Sequence, residues 1–121
     1  ERRGESLTLR MGATAAFAVG SAQLAEAARA QLVAIGRVLR DYDASVVTVF
    51  GHTDDSGNAA GNQRLSEQRA LAVLQVLGGE GVAARRLLAV GMGARQPIGS
   101  NATPEGRDAN RRVELRIDIV Q

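Results

Sequence analysis

The chain has 121 residues, enough for one domain, and 45% of them are hydrophobic, so a single packed core is within reach. Its fifteen basic residues are all arginine and face thirteen acids; the resulting +2 net charge, the absence of a Lys/Arg block and an aromatic content of 2% argue against a nucleic-acid partner. There is no cysteine, which excludes disulfides, thiolate zinc sites and thiol nucleophiles, and no run of about eighteen apolar residues that could cross a membrane as a helix.

The pattern along the chain is that of an α/β domain (an α+β sandwich). Residues 5–11 alternate, with Leu7, Leu9 and Met11 on one face, and predict a first strand. Ser21 is a candidate cap for a helix over 22–40, whose stripe includes Leu24, Ala28, Leu32, Ile35 and Leu39. The β-branched segment SVVTVFG (45–51) predicts a central strand. A second helix is expected over 62–77, ended by Gly78 and Gly79, and a third strand over 87–93. The polar connection 94–110 contains Thr103-Pro104-Glu105, a capping residue followed by a proline suited to the first helical position. Residues 112–120 then alternate Val113, Leu115, Ile117, Ile119 against Arg112, Glu114, Arg116, Asp118, a last strand with one wet face. The expected order is β-α-β-α-β-(α)-β, with helices on one face of a mixed four-strand sheet.

The chemistry gathers where the central strand ends, in GHTDDSGNAAGNQRLSEQR (51–69). In sheets covered by helices, ligands sit at the C-terminal edges of strands. Asn62, Leu65, Ser66 and Arg69 recur at helical spacing, so Asn62 and Arg69 share a face that looks back toward the loop of Asp54. His52 with Asp54 or Asp55 allows a metal-assisted hydrolase as one alternative, although Arg69 opposes a cation and no nucleophile signature stands near. The GxxxxGK[ST] spacing of a phosphate loop is absent. The other reading is recognition of a zwitterion: Asp54 accepts from an ammonium while Arg69 forks onto a carboxylate, which describes an amino-acid head group. Both residues are expected at a surface site, so their replacement is expected to leave stability nearly unchanged.

Five ordered motifs carry a resemblance. GHTDDSG, N-x-x-LS-x-x-RA (Asn62 to Ala70), GxG-x-x-x-P (Gly91 to Pro97), N-x-T-x-EGR (Asn101 to Arg107) and NRRVEL (Asn110 to Leu115) together resemble the OmpA-like peptidoglycan-binding domain, over nearly the whole chain from Leu7 to Ile119. This is the C-terminal module of outer-membrane protein A, peptidoglycan-associated lipoprotein and the flagellar stator protein MotB. The resemblance implies a non-catalytic domain, with no cofactor, that grips meso-diaminopimelate in the stem peptide of the wall. It implies that Asp54 and Arg69 hold the amino-acid end of that residue, that Asn62 and Arg111 reach the same pocket, and that Thr53, Leu65 and the backbone around Phe17 and Ala18 line it. Relatives often carry Phe-Asp where this chain has Phe17-Ala18, which leaves a backbone role there. The resemblance also implies a periplasmic domain of a cell-envelope protein, expected in the outer membrane of a Gram-negative bacterium. The chain begins with Glu and shows no signal peptide, so residues 1–121 are expected to be one domain excised from a longer membrane-anchored parent, with a homodimer left open.

Overall fold

The computed structural model describes residues 5–119. In chain order these form β1 (Glu5–Gly12), α1 (Ala13–Ala16), α2 (Glu26–Arg40), β2 (Ser45–His52), α3 (Ala59–Gly79), a 3-10 turn (Ala84–Arg86), β3 (Leu87–Gly91), α4 (Pro104–Asn110) and β4 (Arg112–Ile119). The strand order is β1-β4-β2-β3, with β4 antiparallel to both neighbours and β2 parallel to β3. The parallel pair follows from α3, since parallel neighbours need a crossover between them. This is the expected mixed four-strand sheet, and Val120, the last residue expected in β4, lies outside the described residues.

Side-chain alternation explains which face is covered. Val47 and Val49 of β2 stand opposite Ile117 and Leu115 of β4, and with Val113 they form the buried sheet face. Leu32 and Leu39 of α2, with Ala70, Val73 and Leu77 of α3, complete the core. The opposite face carries the charged set of β4. Arg10 and Arg112 bond Glu114 at 3.2 and 2.6 Å, and Arg116 bonds Asp118 at 3.1 Å. The clean alternation of the last strand therefore marks a sheet with one oily and one ionic face.

Several boundaries differ from the sequence expectation, each for a local reason. Ser21 does not cap α2; its Oγ accepts from the Gln23 N–H at 2.9 Å and closes a turn two residues on, the competing use of a serine hydroxyl. A bridge between Phe17 and Leu24 holds this segment as a loop, and α2 starts at Glu26 behind an uncapped Ala25. Helix α3 starts at Ala59 rather than Asn62 because Asn58 is its cap, accepting from Gly61 N–H at 2.8 Å. Strand β3 stops at Gly91, and Gly93 turns the chain with φ +56. The expected Thr103 cap with Pro104 opening α4 is present, Thr103 Oγ1 accepting from Gly106 N–H at 3.0 Å.

The helix that carries the site lies unusually close to the sheet. A Cβ on Gly51 would stand 2.1 Å from the Ser66 carbonyl oxygen, and one on Gly91 would stand 2.3 Å from Glu67 Cγ. Ser66, fully buried, donates to the Gln63 carbonyl at 2.8 Å and accepts from Gly93 N–H at 3.0 Å, tying α3 to the β3 loop.

Arg86 is a buried arginine that sequence reasoning did not single out. Its guanidinium donates to the carbonyls of Leu39, Tyr42 and Ser45 and to Ser45 Oγ, at 2.7–2.9 Å. Among the described residues no carboxylate pairs with it; its partners include a last-turn carbonyl of α2, where the helix dipole favours a cation. It fastens the α2–β2 connection to the start of β3. Arg86→Ala leaves these acceptors unpaired, and we expect it to cost about 3 kcal/mol, read as a lowered urea midpoint with an unchanged slope.

Candidate functional site

The site is built at the C-terminal end of β2. The strand delivers His52, Thr53 and Asp54, all buried, before the chain turns through Asp55–Asn58 into α3. The Asp54 carboxylate accepts from the Ser56 N–H at 2.8 Å and from Arg111, the residue between α4 and β4. Burial pushes its carboxyl up, but the Ser56 N–H and Arg111 outweigh it and hold Asp54 below the usual carboxylate range. Asp54 is therefore a fixed anion.

Arg69 stands two turns along α3 from Asn62 and is 6% exposed. Its Nε donates to the Ser21 carbonyl at 2.8 Å, and its guanidinium lies 4.9 Å from the centre of the Phe17 ring. Among the described residues its two η nitrogens have no protein acceptor, and no carboxylate pairs with it. Burial first, and then the nearby charge of Arg111, lower its pKa, so the side chain sits in an environment short of negative charge. Arg111 thus pairs with Asp54, and its charge also bears on Arg69. An incoming carboxylate finds a desolvated, oriented donor; an ammonium finds the anion of Asp54.

The structure places the other sequence-predicted residues around this pair, mostly as its frame. Asn62 Nδ2 donates to the carbonyls of Ser56 at 2.8 Å and Asp54 at 3.4 Å, holding the loop in shape. Thr53 Oγ1 donates to the Asp54 carbonyl at 2.8 Å, while its N–H reaches the Gly93 carbonyl. Phe17 is buried beneath Arg69, and Leu65 is half-buried. The Ala18 N–H and carbonyl are taken within the loop by Gln23 and Ser21, so this backbone shapes the loop that supports Arg69. Asp54 and Arg69 were expected at a surface site; each is only 6% exposed, because the 17–24 loop and Arg111 cover them. Replacing either therefore disturbs packing as well as charge.

His52 belongs to the other side of the sheet. Alternation along β2 directs it to the ionic face, where Nε2 lies 3.8 Å from Glu114, too far for a hydrogen bond, and both ring nitrogens are buried without a partner among the described residues. Asp55 is exposed. Among the described residues no three His, Asp or Glu side chains come together to hold a metal ion, so the metal-assisted alternative has no constellation to rest on. One further feature is legible in the sequence: Asn58 stands directly before the Ala59-Ala60 pair that opens α3.

Comparison with known proteins agrees with this architecture. The OmpA family profile matches residues 16–111. The probable lipoprotein YiaD of Escherichia coli K12 is 40% identical over 116 residues, covering 96% of this chain and 53% of that protein. Outer membrane porin F of Pseudomonas aeruginosa is 42% identical over 103 residues, 84% of this chain and 29% of the porin. Among solved structures, the cell wall anchor of the type VI secretion system from Pseudomonas aeruginosa superposes with a TM-score of 0.84 at 29% identity, covering 98% of this chain and 87% of that one. The chain thus spans about half of the lipoprotein and under a third of the porin.

Burial, then Arg112, lower the His52 pKa from 6.5 to about 4; Glu114 opposes and Arg10 adds to the lowering. A histidine whose folded pKa is depressed binds fewer protons folded than unfolded between about pH 4 and 6.5, so stability falls as pH drops through that window. Asp54 and Glu114, also depressed, lose their contribution only at lower pH, below the ordinary carboxylate range. Urea titrations between pH 6.5 and 4.5 are expected to show a loss of roughly 2 kcal/mol in the wild type and a much flatter profile in His52→Leu.

Proposed function

The chain belongs to the OmpA family, and on that premise we propose that it attaches non-covalently to bacterial peptidoglycan by holding the amino-acid end of meso-diaminopimelate in the stem peptide. It acts as a periplasmic binding module, not as an enzyme, and no bond is made or broken. Residues 1–121 form one domain of a longer, membrane-anchored cell-envelope protein. The relatives that support this placement are a lipoprotein, an outer-membrane porin and a cell wall anchor.

The observation that carries the proposal is the buried Arg69 guanidinium, whose two η nitrogens are unengaged among the described residues and which feels the charge of Arg111, itself paired with an Asp54 fixed as an anion. The ligand carboxylate accepts from Arg69 and adds the negative charge that its surroundings are short of. The ligand ammonium donates to Asp54, sharing it with Arg111. A simple carboxylate satisfies only the arginines, and a simple amine only the aspartate; a group with both charges on one carbon satisfies all three. Thr53, Asn62, Phe17, Leu65 and the Ala18 backbone maintain the loops in which this geometry exists.

Each charge-assisted contact contributes about 1.5–3 kcal/mol, so affinity for one stem is modest. A tethered parent facing a wall with many stems gains from rebinding at high effective concentration.

Co-sedimentation with purified sacculi tests the proposal. Arg69→Gln is expected to lose the carboxylate contact and Asp54→Asn the ammonium contact, each lowering the bound fraction at least about tenfold. Circular dichroism of the same samples checks that the fold persists, and free meso-diaminopimelate should compete with wild-type binding. Undiminished sedimentation of both folded variants contradicts the proposal.

A further inference from the structure

The Asp54 carboxylate that is to receive an ammonium is already engaged. Its Oδ1 accepts from the Ser56 N–H and its Oδ2 from Arg111 Nη1. A second cation arriving at Oδ2 is repelled by the first, so one of the two has to give way.

Of the two arginines near the site, Arg111 is the one that can move. Arg69 is buried, with its Nε on the Ser21 carbonyl and its guanidinium against the Phe17 ring. Arg111 is partly exposed, and the fold pins its backbone rather than its side chain. Its carbonyl accepts from the Ala13 N–H at 2.9 Å, and its N–H donates to the Arg107 and Asp108 carbonyls, each at 3.2 Å. Rotation of the side chain therefore costs no backbone contact.

A second carboxylate stands within reach of the same guanidinium. Asp108 Oδ1 lies 3.5 Å from Arg111 Nη2, longer than a good charge-assisted bond. The same oxygen accepts from Thr14 Oγ1 at 2.7 Å. Thr14 belongs to α1 and Asp108 to α4, so the hydroxyl holds this carboxylate in place from a separate element. Arg111 thus lies between two acids, tight on Asp54 and loose on Asp108. The Asp108 pair is exposed and spans only three residues, so it adds little to stability. What it offers is a second berth for Arg111, a short movement away from the first.

We propose that Asp108 is a positioning residue for stem binding, drawing the Arg111 guanidinium off Asp54 as the ligand ammonium arrives. In the free state Arg111 neutralises Asp54. In the bound state the ammonium does so, and Arg111 closes the gap to Asp108. Each state keeps these charges paired, and the ligand does not have to expel a cation into water. This inference rests on the stem-binding function proposed above and adds to it the route by which Asp54 becomes available.

Calorimetry with the stem tripeptide ending in meso-diaminopimelate, together with a crystal structure of that complex, tests it. Asp108→Asn is expected to weaken binding about fivefold, while Asp108→Glu, which keeps the charge, stays within about twofold of the wild type. The urea midpoints of both variants are expected to match the wild type, because the pair is exposed. In the complex an Arg111 η nitrogen is expected within about 3 Å of the Asp108 carboxylate and out of contact with Asp54 Oδ2. An Arg111 that stays on Asp54 with the gap to Asp108 still open overturns the inference. So does undiminished binding by Asp108→Asn, or an equal loss in Asp108→Asn and Asp108→Glu. Each of these outcomes leaves the stem-binding function standing. Failure of the wild type to bind the tripeptide overturns both.

Discussion

The contact on which the site depends is the approach of α3 to the sheet at Gly51 and Gly91. No side chain fits between the Ser66 carbonyl and the β2 backbone, or between Glu67 and the end of β3. Ser66 then hydrogen-bonds both its own helix and the Gly93 N–H. This fixes the height of α3 above the strand ends. Asn62, one turn before Ser66, meets the loop after β2, and Arg69, almost one turn after it, meets the loop after α1. A larger residue at either glycine would lift the helix and separate Arg69 from Asp54 without touching either.

Within that frame the electrostatics are asymmetric in a useful way. Asp54 is held ionised by a backbone N–H and Arg111, so it is available as an acceptor at any ordinary pH. Arg69 is charged, buried and stacked on Phe17, with an arginine rather than an acid as its neighbour. A buried cation without a counter-ion is costly, and an arriving carboxylate relieves that cost at the moment of binding. Stability and recognition are thereby coupled: the same loop, residues 17–24, that shields Arg69 from water also anchors it through the Ser21 carbonyl. By contrast Arg86, also buried, gives its Nε and Nη2 to neutral oxygens of α2, the α2–β2 connection and β2.

Periodicity made the framework legible. The alternation of Val113 to Ile119 gave the ionic and oily faces of β4, and Thr103-Pro104 gave the start of α4, because strand pleat and helix capping are local. The pairing of Asp54 with Arg111, placed 57 positions apart, is non-local, and only the family resemblance brings the two residues together in the sequence. The burial of both Asp54 and Arg69 was missed because polar residues in a Gly/Asn-rich loop read as solvated; what covers them comes from α1, the following loop and the start of β4. Arg86 was illegible for the same reason, as its acceptors lie on α2, the α2–β2 connection and β2. The observed helix starts differ from the expected ones where Asn58 caps α3 ahead of Asn62 and where Ser21 closes a turn of its own.

The most direct measurement is a crystal structure of the domain with a stem tripeptide ending in meso-diaminopimelate. The account predicts the ligand carboxylate within about 3 Å of the Arg69 η nitrogens, and the ammonium on the same carbon in hydrogen-bond contact with the Asp54 carboxylate. A ligand seated with its zwitterionic carbon away from both side chains would contradict it.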